Sequence, residues 1–150
     1  MAKNKRTMIV VADAGRAHVF MNDSKEGTME SVRAFENAAV HLRSRDIGSD
    51  RPGRSVESVG GAHHAEEPRT DPHRLAKSAF AKQMAEYVER GAVEKQYDQL
   101  VLVAPPQMLG DLREVLGENA AAKVTREVAK DLTKIPAAEL TARLRDLVRA

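Results

Sequence analysis

The sequence predicts an α/β fold: a mixed five-stranded sheet with helices on its faces, in the order βββαβαβα. Three observations carry that expectation. Three short apolar or alternating runs follow one another before Glu36, Leu100 to Ala104 is apolar at every position, and the stretches around that run repeat apolar residues at three-and-four spacing. A length of 150 residues fits one domain, so residues 1–150 are read as a single unit.

Thr7 to Ala12 is a continuous apolar run and reads as a buried strand. Asp13-Ala14-Gly15-Arg16 supplies turn chemistry, since aspartate closes an Asx turn and Gly15 permits positive φ, and Ala17 to Met21 resumes as the second arm of a hairpin. Met29 to Phe35 alternates as a third antiparallel strand. From about His41 to Asp71 the periodicity disappears, and residues 43–70 are expected to form a flexible loop with almost no apolar surface to offset its ordering. Thr70-Asp71-Pro72 signals a helix start. Leu75, Phe80, Met84, Tyr87 and Val88 give that helix one apolar face, and Gly91 is expected to end it. Leu100 to Ala104 is expected at the centre of the sheet with Thr7 to Ala12 beside it, because both runs are apolar on both faces. Pro105-Pro106 stops that strand. Met108 to Leu116 then forms a helix closed by Gly117. Lys123 to Ala129 alternates and is rich in β-branched residues, so it is read as a strand, and Pro136 opens a last helix.

Composition narrows the function classes. There is no cysteine, hence no disulfide, thiolate zinc site or cysteine nucleophile. The apolar run near the N-terminus is too short for a signal peptide, and no stretch approaches the roughly 20 apolar residues of a membrane span. A cytoplasmic protein without membrane insertion is expected. The formal charge is only +2, from 24 basic and 22 acidic residues, and aromatics make up 3% of the chain. That composition excludes a broad base-stacking platform for single-stranded nucleic acid.

Four blocks of sequence carry a resemblance over nearly the whole chain. They are Val10-Val11-Ala12-Asp13-Ala14-Gly15-Arg16-Ala17; Gly60-Gly61 followed by Glu67-Pro68-Arg69-Thr70-Asp71-Pro72-His73; Leu100-Val101-Leu102-Val103-Ala104-Pro105-Pro106 with Leu109-Gly110; and Lys130-Asp131-Leu132-Thr133. In this order they resemble the host-attachment family of bacterial proteins, which is similar in turn to the middle domain of archaeal and eukaryotic class-1 release factors. The resemblance implies a ribonuclease H-like sheet. It also implies that Gly60-Gly61 stands where release factors carry a Gly-Gly-Gln loop ahead of the long helix. Ala62 occupies the glutamine position, which weighs against peptidyl-tRNA hydrolysis by that route.

Candidate sites concentrate in the same aperiodic stretch. Arg43, Arg45, Arg51 and Arg54 suit phosphate, because a guanidinium stays charged and donates two parallel hydrogen bonds. With Gly60, Gly61, His63, His64 and Arg69 they form the candidate RNA-binding set. His63, His64, Glu66, Glu67, Asp71 and His73 are metal-ligand types, but they lack a ligand spacing such as His-Glu-x-x-His, and no metal or other cofactor is assigned. Asp13, Asp98, Asp111 and Asp131 are weighed as carboxylates of a two-metal nuclease and read instead as turn and element-end residues. Ser55 and Ser58 lack a nucleophile elbow, so no catalytic residue is assigned. Three functional readings follow. The first is a non-enzymatic domain contacting structured RNA (tRNA, rRNA or the ribosome) through the 43–73 loop. The second is a peptidyl-tRNA or RNA hydrolase using Gly60-Gly61, and the third a protein-interaction module affecting attachment to host cells.

Overall fold

Side chains alternate across a strand, so a strand apolar at every position needs cover on both faces. That requirement organises the fold in the computed structural model, which describes residues 5–25, 27–40 and 72–149. In β1 (Arg6–Ala12) every residue from Thr7 onward is buried. Met8, Val10 and Ala12 enter one core cluster, whereas Ile9 and Val11 enter the other. β4 (Gln99–Ala104) repeats the pattern, with Leu100, Leu102 and Ala104 on the first face and Val101 and Val103 on the second.

β2 (Arg16–Asp23) and β3 (Thr28–Glu36) complete an antiparallel meander with β1, and β5 (Val124–Ala129) adds parallel to β4. The resulting order is β3-β2-β1-β4-β5, with β1 and β4 parallel. This is the mixed five-stranded sheet that the sequence predicts. The middle position differs from expectation: β1 holds it, and β4 lies beside it. Apolarity on both faces marks an interior strand but does not rank two of them. The meander adds two strands on one side of β1 and the parallel pair adds two on the other.

The first face is covered by α1 (Pro72–Val93) and α2 (Pro106–Val115), through Phe80, Met84 and Val88 of α1 and Met108, Leu109 and Leu112 of α2. The second is covered by α4 (Ala137–Arg149), which seats Leu140 and Leu144 against Ile9, Val11 and Val103. A single turn, α3 (Glu118–Ala121), leads into β5.

Three glycines serve ends other than those predicted. Gly91 does not end α1. The helix continues to Val93 and closes in a Schellman motif, in which Lys95 N donates to Ala92 O (3.1 Å) and Gln96 N to Gly91 O (2.9 Å). Lys95, at φ 58°, takes the left-handed position usually given to glycine. Gly91 instead makes room for the Tyr97 ring, since a Cβ there would stand 3.1 Å from Tyr97 Cε2. Gly117 is not a left-handed terminator of α2 but the N-cap of α3, at φ −71°. Gly15 is not in the positive-φ region, which among the described glycines holds Gly27 alone.

Candidate functional site

The β1–β2 turn is closed by its aspartate. Asp13 Oδ1 accepts from Gly15 N at 2.7 Å and from Arg16 N at 2.9 Å, while Asp13 N donates to Arg16 O at 2.8 Å. Its other carboxylate oxygen accepts from Thr133 Oγ1 at 2.8 Å, and that hydroxyl also lies 2.6 Å from Asp131 Oδ1. One hydroxyl proton serves one carboxylate at a time, so Thr133 ties the turn to the 131–133 segment from between the two acids. Asn37, 8% exposed, locks the opposite side of the turn. Its side-chain amide donates to Ala14 O (3.0 Å) and to Ala76 O of α1 (3.1 Å), and its backbone N–H donates to Gly15 O (2.9 Å).

This anchoring brings four separate stretches together at the carboxyl ends of β1 and β4. A pocket of about 390 Å³ opens there, lined by the turn Asp13–Arg16, Arg74 and Lys77 of α1, Pro105, Gln107, Met108 and Asp111 at the start of α2, and Lys134. In open α/β sheets the carboxyl ends of adjacent parallel strands are where ligands are most often received. Four cations face two carboxylates. Arg74 holds Asp111 in a bidentate pair, Nη1 to Oδ2 at 2.8 Å and Nη2 to Oδ1 at 2.5 Å. The Asp111 side chain is 11% exposed and that of Arg74 40%, and the hydrogen bond to Asp111 holds the guanidinium above its ordinary pKa. Among the described residues Arg16, Lys77 and Lys134 form no ion pair.

A smaller cavity of about 220 Å³ lies beyond Arg16, lined among others by His18, Glu36, Thr133 and Leu140. His18 stacks on Phe20 at 4.4 Å between ring centroids, and its Nε2 lies 2.6 Å from Ser31 Oγ. Burial pushes its pKa below the ordinary histidine value.

Arg43, Arg45, Arg51, Arg54, Gly60, Gly61, His63, His64 and Arg69 all lie outside the described residues, as do the expected loop at 43–70 and the other ligand types Glu66, Glu67 and Asp71. Of the weighed carboxylates, Asp13 and Asp131 meet at Thr133, and Asp98 Oδ2 accepts from Arg6 N (2.9 Å) at the opposite edge of the sheet. Asp111 is not an element-end residue: it sits within α2 and binds Arg74. Among the described residues no group of three or more histidines and carboxylates stands together as metal ligands. The cations Arg16, Arg74, Lys77 and Lys134 escape sequence reasoning, because each alone reads as a solvated surface charge.

Residues 8–144 match the sequence profile of a family described as "protein required for attachment to host cells". No curated protein matches the chain. Among solved structures, it is similar to the PPX-GPPA enzyme of Aquifex aeolicus, at TM-score 0.42 and 11% identity over 84% of this chain and 36% of the other. The type II variant of the Aquifex aeolicus Ppx/GppA phosphatase gives 0.43 and 12% over 83% and 35%. An archaeal actin homolog gives 0.41 and 11% over 98% and 49%. The chain thus spans between about a third and a half of these proteins.

Proposed function

The chain belongs to the family of proteins required for attachment to host cells, and from that premise we propose that it is a binding domain, not a hydrolase, and that its ligand is structured RNA. The observation that carries this reading is the excess of cations around the pocket at the carboxyl ends of β1 and β4. The segment of residues 41–71 begins four residues after Asn37, which is bonded to the pocket turn, and ends three residues before Arg74.

In this reading Arg43, Arg45, Arg51, Arg54 and Arg69 neutralise phosphates, and Gly60-Gly61 with His63 and His64 give the backbone close approach to the ligand. The likeness to the release-factor middle domain belongs to the same proposal. What supports binding over hydrolysis is the state of the carboxylates at the pocket. Asp13 is held by the backbone N–H groups of its own turn and Asp111 by the bidentate Arg74, so each carboxylate already has a structural role in the fold.

The test is equilibrium binding of the full chain to structured RNA across a salt series. Replacing Arg43, Arg45, Arg51 and Arg54 with alanine should weaken binding and flatten its salt dependence, by roughly 0.7–0.9 in log–log slope for each phosphate no longer neutralised. A quadruple variant that binds as tightly as wild type, with the same slope, ends the RNA reading and leaves the protein-interaction module in its place.

A further inference from the structure

We infer that the pocket at the carboxyl ends of β1 and β4 is a receptor for a terminal phosphate, the dianion of a phosphomonoester; this rests on the phosphate-binding reading above and gives it a specific seat. What points to it is the imbalance between satisfied and unsatisfied polar groups in the pocket lining.

The carboxylates and turn carbonyls of the lining have partners within the fold. Asp13 gives one oxygen to two backbone N–H groups and the other to Thr133, and Asp111 gives both to Arg74. The turn carbonyls of Ala14, Gly15 and Arg16 accept from the Asn37 side chain, Asn37 N and Asp13 N, and Pro105 O accepts from Leu109 N. The donors are left over. The side chains of Arg16, Lys77, Lys134 and Gln107 have no hydrogen-bond partner among the described residues. The backbone N–H groups of Gln107 and Met108 precede the first hydrogen bond of α2, which runs from Leu109 N to Pro105 O, and no side chain caps that helix.

A lining whose charged groups without ion-pair partners among the described residues are all cations favours an anionic ligand. A cation meets Arg16, Lys77 and Lys134 and is repelled. A neutral sugar or base brings no charge to complement the three cations. A carboxylate satisfies part of the set with one charge. A phosphomonoester brings three terminal oxygens and a charge between about −1.5 and −2 at neutral pH. Size points the same way, because 390 Å³ lies near the lower end of the roughly 300–1,000 Å³ of small-molecule sites. That space holds a phosphate with its attached sugar and excludes a duplex. An internal phosphodiester, with a nucleotide on either side, does not enter such a concavity end-on. Arg74 is the positioning residue: its bidentate bond to the buried Asp111 fixes the wall and leaves Arg16, Lys77 and Lys134 to meet the ligand.

A free nucleotide and the 5′ end of an RNA share this chemistry, and the experiment separates them. The full chain, with its backbone amides assigned, is titrated with a nucleoside 5′-monophosphate and with the same nucleoside. It is then titrated with a short RNA bearing either a 5′-phosphate or a 5′-hydroxyl. The monophosphate should shift the Gln107 and Met108 amides and the nucleoside should not. Lys77→Ala with Lys134→Ala should weaken monophosphate binding at least about tenfold while the amide spectrum stays folded. The 5′-phosphorylated RNA should bind several-fold more tightly than its 5′-hydroxyl form if the RNA end is the source. A monophosphate that binds while neither RNA does keeps the pocket and removes the RNA reading. Equal binding of the two RNAs, no response to the monophosphate, and a salt slope carried by the four loop arginines overturn the pocket and keep the RNA reading. Amide shifts that the nucleoside reproduces overturn the pocket as well.

Discussion

Two helix N-termini in this molecule meet opposite treatment. The first turn of α3 is served from outside its own sequence: Glu89 of α1 reaches across, accepts from Ala120 N at 2.8 Å and takes the Asn119 side-chain amide at 2.6 Å. The first turn of α2 receives no side chain, and its neighbours are cations. Every helix start leaves N–H groups without intrahelical partners, and a carboxylate is their natural complement. The fold places a carboxylate at the short helix on the amino edge of the sheet. It withholds one from the ten-residue helix at the carboxyl edge, although Asp111 lies on that same helix and binds Arg74 instead. The contrast separates a terminus closed for stability from one open to an anion from outside.

The closed terminus breaks most easily at Gly117. A Cβ built there would overlap the Glu89 carboxyl group, so any side chain must displace the cap. Gly117→Val is expected to destabilise the protein by about 1–3 kcal/mol, the usual cost of overpacking, read from the midpoint of urea unfolding. Monophosphate binding at the other edge should stay unchanged. A variant as stable as wild type would mean that Glu89 is not held where the contrast requires it.

Acid sharpens the same comparison with a smaller effect. Hydrogen bonding from Asn119, and then from Ala120, holds the Glu89 carboxyl below its ordinary pKa of 4.5. The unfolded chain therefore binds this proton at a higher pH than the folded one. The stabilisation is fully present above about pH 4.5 and is lost as the pH falls through the lower folded value. Glu89→Gln removes that titration. Plotted against pH, the stability difference between wild type and Glu89→Gln should be constant near neutrality and shrink below about pH 4.5. A difference that grows on acidification would give the cap the wrong sign.

Most of the architecture was legible because strand and helix periods leave their mark within about ten residues of chain. The alternation of Val124, Arg126 and Val128 was enough to choose strand over helix, and the unbroken apolar runs at Thr7 and Leu100 identified the interior strands. What stayed hidden depends on clearance and convergence across the chain. Gly91 and Gly117 read as helix terminators, since turn chemistry is local. Their actual reasons are the Tyr97 ring and the Glu89 carboxyl, which arrive from other elements. The pocket cations come from the β1–β2 turn, the start of α1 and the stretch before α4, and nothing in their spacing links them. One signal was present: Asp13-Ala14-Gly15-Arg16 and Pro105-Pro106 each follow an interior strand at once, so parallel pairing of those strands puts both at one edge.

The open terminus gives the smallest change in stability and the sharpest discrimination. Pro105 is the N-cap of α2, with φ −60° and ψ 157°, and Pro106 follows it in the first helical turn. Those angles suit a capping aspartate, and the residue before a proline is held in the extended region in any case. Pro105→Asp therefore supplies the missing cap without moving the backbone. The cap contributes about 0.5–2 kcal/mol, against roughly 0.4–1 kcal/mol lost with the proline's restriction of the unfolded chain. The net change should lie between a loss of about 0.5 and a gain of about 1.6 kcal/mol. The effect on binding should be far larger, because the new carboxylate takes the Gln107 and Met108 N–H groups and places a negative charge among Arg16, Lys77 and Lys134. A folded variant of near wild-type stability that no longer responds to a nucleoside monophosphate is the expected result. Unchanged monophosphate binding by that stable variant would show that the start of α2 does not face the ligand, and the contrast between the two termini would then carry no functional meaning.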